Sequence, residues 1–108
     1  DRRLKKNIVD NTEGLELINA IRVRNFEYRV EDEVTELDPT TAIAITGVQL
    51  GVIAQELEEV CPDCVKEEST GIKTVITDDI MWHMLNAIKQ LSTQLDAALA
   101  RIETLEGK

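Results

Sequence analysis

The stretch DDIMWHMLNAIKQLSTQLDAALARIETLE, which runs from Asp78 to Glu106, carries the clearest pattern in the sequence. Its apolar residues follow one another at steps of three and four over four heptads without a slip. This spacing predicts a long helix with a coiled-coil seam. With Met81 in heptad position a, the a and d positions are Met81, Met84, Ile88, Leu91, Leu95, Ala98, Ile102 and Leu105.

The predicted helix is longer than a small domain needs to cover its own core. At 1.5 Å per residue its length is roughly 40 Å, so we expect it to extend towards other chains. The alternative is a single amphipathic helix that folds back on its own protomer, because one seam serves either purpose.

The seam residues do not decide how many helices the coil contains. Ile at a with Leu at d favours two strands in a parallel coiled coil, whereas Met and Ala at the other layers have no preference. Leu85 and Leu99 at position e and Ala87 at position g widen the apolar stripe. A wider stripe fits more than two helices, or the packing of the upper helix onto a domain. The heptads alone therefore leave dimer and trimer open.

Residues 1–77 are predicted to form a small α+β head, so that the chain divides into a head at 1–77 and a coiled-coil helix at 78–108. The predicted elements begin with a helix at 13–21 capped by Asn11 or Thr12, followed by a strand from Asn25 that buries Phe26, Tyr28 and Val30. A solvent-exposed loop at 31–41 then leads to one bent or two short central strands at 42–54. The last elements are a helix at 55–60, a hairpin of 65–67 with 72–76, and Thr77 as the cap of the final helix. Val52, Ile53 and Leu57 should lie in the core.

The charge of the chain excludes two classes of partner. Acidic residues outnumber basic ones 21 to 12, and the net charge is −9. A surface with this much negative charge repels phosphate backbones and anionic lipids. We therefore predict that neither nucleic acid nor a membrane is a partner. No apolar run approaches the roughly 18 residues that a membrane span needs. Because the first residue is Asp rather than Met, we expect the chain to be part of a longer protein.

The two cysteines, Cys61 and Cys64, lie in a Cys-Pro-Asp-Cys sequence whose spacing suits a redox pair or half of a zinc site. A mononuclear zinc site needs more ligands, and His83 is the only histidine. The pair also follows a predicted helix rather than opening one. We therefore predict two small half-buried thiols, with no metal and no cofactor.

Three segments together resemble the intramolecular chaperone auto-processing domains at the C-termini of phage tailspikes and tail fibres, and of a few cellular proteins. They are Asp1-Arg2-Arg3-Leu4-Lys5-Lys6-Asn7-Ile8, then Gly51-Val52-Ile53-Ala54-Gln55-Glu56-Leu57-Glu58-Glu59-Val60 with Pro62 and Val65, and Ala87-Ile88-Lys89-Gln90-Leu91-Ser92. Their order and spacing match the family along nearly the whole chain. Cys61 and Cys64 depart from it, since relatives usually carry apolar residues there.

The resemblance implies a precursor that forms a homotrimer with the help of this domain. The peptide bond between a Ser and the Asp of the Ser-Asp-Arg-Arg-Leu-Lys motif is then cut, so that Asp1 is the expected cleavage site. The Lys of the family falls on Lys5, which acts with that Ser as a dyad. Arg2 and Arg3 lie near the site by the same match.

The same resemblance names the partners and the place of action. The partners are two further copies of the chain and the upstream fibre or tailspike part of its own precursor. The work is done in the host cytoplasm during virion assembly, and the domain is absent from the mature virion protein. Gln55 and Glu56 are expected to face a chain interface or the cleavage site; otherwise they are the polar side of a short helix.

The chemistry of a Ser–Lys pair requires a neutral amine, which accepts the hydroxyl proton. Free lysine titrates near 10.4, so burial or the field of Arg2, Arg3 and Lys6 would have to favour the neutral form of Lys5. Alternatively, these cations form a solvated tail. Only Ser69 and Ser92 occur in the sequence, so we expect the released fragment to be inactive.

The geometry of the cut remains open from sequence, because a Ser that attacks its own carbonyl would close a four-membered ring. A neighbouring chain's Ser, a water activated by the dyad or a distorted loop each avoids that ring. The rival hypothesis is a purely structural trimerisation module without chemistry. The residue that precedes Asp1 distinguishes the two, since cleavage needs a hydroxyl or thiol there.

Overall fold

A computed structural model describes residues 1–107 as a mixed head followed by one long helix. The helices are α1 (Leu15–Ala20), α2 (Ala54–Val60) and α3 (Asp78–Glu106), and the strands are β1 (Arg24–Phe26), β2 (Gln49–Gly51), β3 (Val65–Glu67) and β4 (Lys73–Val75). Four short 3-10 turns, at Arg2–Leu4, Glu31–Glu33, Pro39–Thr41 and Pro62–Cys64, lie between them. The α+β class is therefore confirmed.

Helix α3 has the bounds that the heptads predict and contains 29 residues. Every residue from Leu91 to Gly107 is exposed, so the lower part of the helix projects beyond the head. The chain measures 67 × 42 × 21 Å, and its radius of gyration is 20.3 Å. A compact domain of this size would have a radius near 13 Å. The alternative of a helix folded back along its own protomer is thus wrong for the lower half of α3.

The head contains two separate two-stranded antiparallel sheets. In the first, β1 pairs with β2 so that Arg24 lies opposite Gly51 and Phe26 opposite Gln49. A Cβ on Gly51 would come within 3.2 Å of the Phe26 ring, so a larger residue there would require the ring to move by a few tenths of an ångström. In the second sheet β3 and β4 form the predicted hairpin, one residue shorter at each end of its second strand.

The core of the head is small and centres on the side chain of Leu57 in α2, which is 2% exposed. Cys61 and Cys64 complete the buried cluster. The residues packed around it come from α1, α2, α3 and the strands; they are Leu17, Ile21, Val52, Val60, Val65, Val75 and Ile80. The predicted core positions Leu57 and Val52 are confirmed by this packing, and Ile53 is half-buried.

The prediction of two half-buried thiols is wrong, because Cys61 and Cys64 form a disulfide bond and both are buried. The 3-10 turn at Pro62–Cys64 brings their Cα atoms to 5.3 Å. That separation lies within the range that a disulfide spans. The bridge joins the end of α2 to the start of β3.

The segment 42–54 was predicted to be central, and this prediction is wrong for its first half. Only Gln49–Gly51 forms a strand, because β1 is three residues long and offers no further pairing partner. Ile43, Ile45 and Val48 are exposed, since no other element of the chain covers them. Val30 is exposed as well, although burial does alternate from Arg24 to Tyr28 as the period of two predicts.

The helix caps also differ from the predictions. Gly14 stands at the N-cap of α1 instead of Asn11 or Thr12, because residues 11–13 run extended along α3. Thr77 does occupy the N-cap position of α3, but its side chain makes no capping hydrogen bond. Among residues 1–107, no helix combines the length and the apolar character that a membrane crossing requires.

Candidate functional site

The segment Asp1–Lys6, called the opening turn below, forms a tight turn that the side chain of Asp1 holds together. The Arg3 amide donates to the Asp1 carboxylate at 2.8 Å, and the Arg3 guanidinium donates to the same carboxylate at 3.1 Å. The Lys5 amide donates to the Arg2 carbonyl at 3.1 Å and closes the 3-10 turn Arg2–Leu4. This turn folds the backbone of Lys5 back towards Arg2.

This segment is fully open to solvent in the single chain. All of residues 1–13 are exposed, and the side chain of Leu4 is 90% exposed. Ile8 and Val9, which follow the basic residues, are exposed as well. The described residues of one chain therefore supply no apolar cover for the side chain of Lys5.

Glu56 on α2 lies in an ion-pair cluster with two arginines at the start of β1. The guanidinium of Arg24 donates two hydrogen bonds to its carboxylate, at 3.0 and 2.7 Å, and Arg22 lies at 3.6 Å. The hydrogen bonds from Arg24 hold the pKa of Glu56 below its ordinary value, and the same bonds raise the pKa of Arg24. Glu56 thus joins α2 to the first sheet, a partnership for which the sequence carries no specific signal.

The structure does not bring the residues predicted to lie near the cleavage site together within one chain. The ion-pair partners of Glu56 are Arg22 and Arg24, not the basic residues of the opening turn. Gln55 is exposed and lines a shallow groove with residues 34–37 and 71–73. Their place at an interface or at the cleavage site stays a prediction.

We expect the Glu56 cluster to make the stability of the head depend on pH. Because the pKa of Glu56 is lowered in the folded chain, its contribution is complete above the ordinary value of 4.5 and is lost as pH falls through the lowered pKa. Thermal unfolding should show wild type more stable than Glu56→Gln at pH 6. The difference in stability between the two should shrink as the pH falls below 4.5. Glu59→Gln, on the exposed side of the same helix, is the control and should show no such pH-dependent gap.

A row of polar side chains on α3 holds the extended segment 11–15, and sequence analysis missed it. His83 Nδ1 donates to the Glu13 carbonyl at 2.9 Å, which fixes the proton on that nitrogen because a carbonyl only accepts. Asn86 Nδ2 donates to the same carbonyl at 2.9 Å and to the Asn11 carbonyl at 3.1 Å. These side chains, with Gln90, are called the polar ladder below.

Gln90 completes the polar ladder by acting both as a hydrogen-bond donor and as an acceptor. Its Nε2 donates to the Thr12 carbonyl at 2.8 Å, and its Oε1 accepts from the Leu15 amide at 2.7 Å. His83, Asn86 and Gln90 follow one another at steps of three and four, which places them on one face of α3. That polar spacing is visible in the sequence, but the apolar seam beside it carries the stronger signal.

Gly14 lets this segment come close to the helix. A Cβ at residue 14 would lie 2.7 Å from the Ala87 nitrogen and 2.8 Å from the Asn86 carbonyl carbon, distances that a real side chain does not reach. Ala87 is 4% exposed at this contact. Two small residues and the polar ladder therefore fix the path of the chain that leaves the opening turn.

The seam of α3 lies on a different face from the polar ladder. Its seven large side chains are between 49% and 62% exposed, and Ala98 is exposed too. Leu85 and Leu99 beside it are half exposed, whereas Ala87 faces α1. With 3.6 residues per turn, the face that meets the head and the seam lie roughly a third of a turn apart. The seam is thus unoccupied while the head is attached.

The described residues contain no cluster of three or more histidine, cysteine, aspartate or glutamate side chains placed to hold a metal ion.

Comparison with known protein families gives a match to most of the head. The family model Peptidase_S74, described as chaperone of endosialidase, matches residues 1–66. The matched part runs from the opening turn through α1, the first sheet and α2 into β3. Because the match covers more than half of the chain, this protein belongs to the Peptidase_S74 family of endosialidase chaperones.

Proposed function

We propose that this chain is a C-terminal intramolecular chaperone that drives the homotrimerisation and folding of a phage tailspike or tail-fibre protein. After assembly it is released by self-cleavage before Asp1. The observation that carries the proposal is the exposed heptad seam on α3, in a chain whose head belongs to a chaperone family. A monomer rarely exposes so continuous an apolar surface, and its natural occupant is the same surface of further copies.

The residues that flank the seam support a parallel coil of three chains. Leu85 and Leu99 at position e are half exposed, so the apolar stripe is wider than a and d alone. Arg101 at position g precedes Glu106 at position e by five residues, the spacing at which neighbouring parallel helices form an ion pair. A trimer uses the wider stripe better than a dimer does.

The separation of the two faces of α3 lets folding and assembly proceed together. Ile80, Ala87 and the polar ladder hold the head, while Met81, Met84 and the later seam residues remain free. Three chains can then align through their helices without undoing the heads. Alignment of the C-terminal ends brings the upstream parts of the three precursors into register.

The cleavage step that we propose hydrolyses the peptide bond before Asp1. The hydroxyl of the Ser that precedes Asp1 in a neighbouring chain attacks the carbonyl carbon of the Ser–Asp bond, and the neutral amine of Lys5 accepts the hydroxyl proton. The carbon–nitrogen bond breaks, the Lys5 ammonium returns the proton to the nitrogen that becomes the terminus of Asp1, and water then hydrolyses the Ser ester to a carboxylate and the free hydroxyl. The exposure of the opening turn in one chain favours a site that is completed by neighbouring chains.

The partners and the place of action follow from the same proposal. The chain acts on further copies of itself and on the upstream part of its own precursor in the host cytoplasm during virion assembly. Its net charge of −9 disfavours nucleic acid and anionic membranes as partners. The alternative function is a structural trimerisation module without chemistry, which the exposure of Lys5 in the single chain favours.

One experiment tests the proposal as a whole. A precursor that contains the upstream fibre sequence is expressed, its native mass is measured, and the products are sequenced from their N-termini. We expect a trimeric mass and a released fragment that starts at Asp1. A trimer that stays uncut would establish the structural module instead, and a monomer would overturn both functions.

A further inference from the structure

The structure assigns His83, Asn86 and Gln90 a role as positioning residues for the cleavage before Asp1. The polar ladder holds the segment 11–15 on α3, so that formation of the coil also sets where the opening turn lies. This inference rests on the proposed function and adds to it the physical link between assembly and cleavage. It concerns side chains that lie outside the opening turn and outside the seam.

The first step is that the polar ladder binds backbone rather than side chains. Its hydrogen bonds to segment 11–15 are to main-chain carbonyls of residues 11–13 and to the Leu15 amide, apart from one additional contact to the Asn11 side chain. The backbone of Gly14 also lies so close to α3 that a residue with a side chain in its place would clash with Asn86 and Ala87. The segment therefore cannot slide along the helix by one residue. Contacts of this kind fix the position of a chain segment along a helix to within one residue.

The second step is that this position limits where Lys5 can lie. Asn11 follows Lys5 by six positions, and an extended chain advances at most 3.3–3.6 Å per residue, so Lys5 stays within about 20 Å of the segment that the polar ladder holds. Asn7, with a φ of 54°, adds a bend that shortens this reach. The opening turn is therefore tethered beside the upper heptads of α3.

The third step concerns assembly. The polar ladder occupies residues 83–90, and the seam residues Met84 and Ile88 lie in the same turns of helix. When three helices join there, the three opening turns are held within reach of one another at the millimolar effective concentrations of short tethers. A site completed by a neighbouring chain would form only in the assembled trimer, which explains why cleavage would follow assembly.

The test replaces Gln90 by leucine in the precursor with its upstream Ser. Gln90→Leu keeps the size of the side chain and a good helix former but removes both hydrogen bonds to segment 11–15. Thr93→Leu, one turn further along α3 at heptad position f and away from the seam, is the control. Native mass, thermal unfolding and the rate of appearance of the fragment that starts at Asp1 are measured for each.

We expect both variants to be trimeric and Thr93→Leu to be cut like wild type. Gln90→Leu should be cut between about 10- and 100-fold more slowly, because small displacements of reacting groups have effects of that size. Gln90→Glu should be cut at an intermediate rate, since it accepts from Leu15 but donates to Thr12 only when protonated. Its rate relative to wild type should therefore rise as pH falls towards the ordinary pKa of glutamate, about 4.3.

The outcomes separate this inference from the proposed function. Normal cleavage of Gln90→Leu, or a relative rate for Gln90→Glu that does not change with pH, would refute the positioning role and leave self-cleavage standing. A wild-type precursor that is not cut would refute self-cleavage, and the positioning role with it. If Gln90→Leu fails to assemble, the polar Gln90→Glu, of nearly the same size, decides by its pH profile.

Discussion

A chain that carries Leu95→Asp should sediment as a monomer under conditions in which the wild-type chain is a trimer. Leu95 is 59% exposed in the single chain and lies below the part of α3 that contacts the head, so the head should fold as before. In the coil, however, each copy would place a carboxylate in the same a layer beside its like. An uncompensated buried charge costs about 3–5 kcal/mol, more than 100-fold in the association constant.

The control for this variant is Ala100→Asp, which introduces the same charge into the same helix at position f, away from the seam. Sedimentation or light scattering should find Ala100→Asp trimeric. A wild-type chain that is monomeric at micromolar concentrations would remove the coiled-coil argument. A dimeric wild type would mean that Ile at a and Leu at d predict the number of strands better than the family resemblance does.

The features that sequence predicts well are those in which local periodicity and turn residues agree. Helix α3 has the predicted bounds because one apolar period continues from Met81 to Leu105. The hairpin of β3 and β4 is also predictable, because Gly71 supplies the left-handed backbone, with a φ of 86°, that its turn requires. In both cases a short window of sequence contains the deciding information.

The errors occur where the outcome depends on contacts between distant segments. The stretch 42–48 has the composition of a central strand, but the three pairing positions of β1 are taken by Gln49–Gly51, so residues 43–48 are exposed. The polar ladder escaped prediction for a related reason. Asn86 and Gln90 bind the main chain of residues more than 70 positions away, and a main-chain partner leaves no pattern in the sequence.

The candidate cleavage site was only partly predictable from the sequence. The motif at Asp1–Lys6 identifies candidate residues, and the structure adds a turn capped by Asp1. No sequence pattern reports what surrounds Lys5 in an assembly, and the single chain leaves the segment in solvent. A lysine that works as a base needs a neighbourhood that favours its neutral form, and in the proposed mechanism the assembled precursor supplies that neighbourhood.

In a precursor that includes the upstream Ser, Lys5→Ala should stop the cut before Asp1 and leave assembly intact. The proton of the Ser hydroxyl needs an acceptor, and loss of such a general base typically slows a reaction by about 10²–10⁴-fold. Assembly should not change, because the seam on α3 and the core around Leu57 do not include Lys5. The precursor should run as one full-length band on a denaturing gel while its native mass remains trimeric.

Arginine at the same position separates a base from a mere positive charge. Lys5→Arg should also remain uncut, because a guanidinium stays protonated at any useful pH and cannot accept the proton. A role in neutralising charge would tolerate arginine, so efficient cleavage of Lys5→Arg would indicate that role. Lys6→Ala, one residue along the same basic segment, is the control and should be cut at a rate close to wild type. Normal cleavage of Lys5→Ala would exclude Lys5 as the base and assign proton removal to another group.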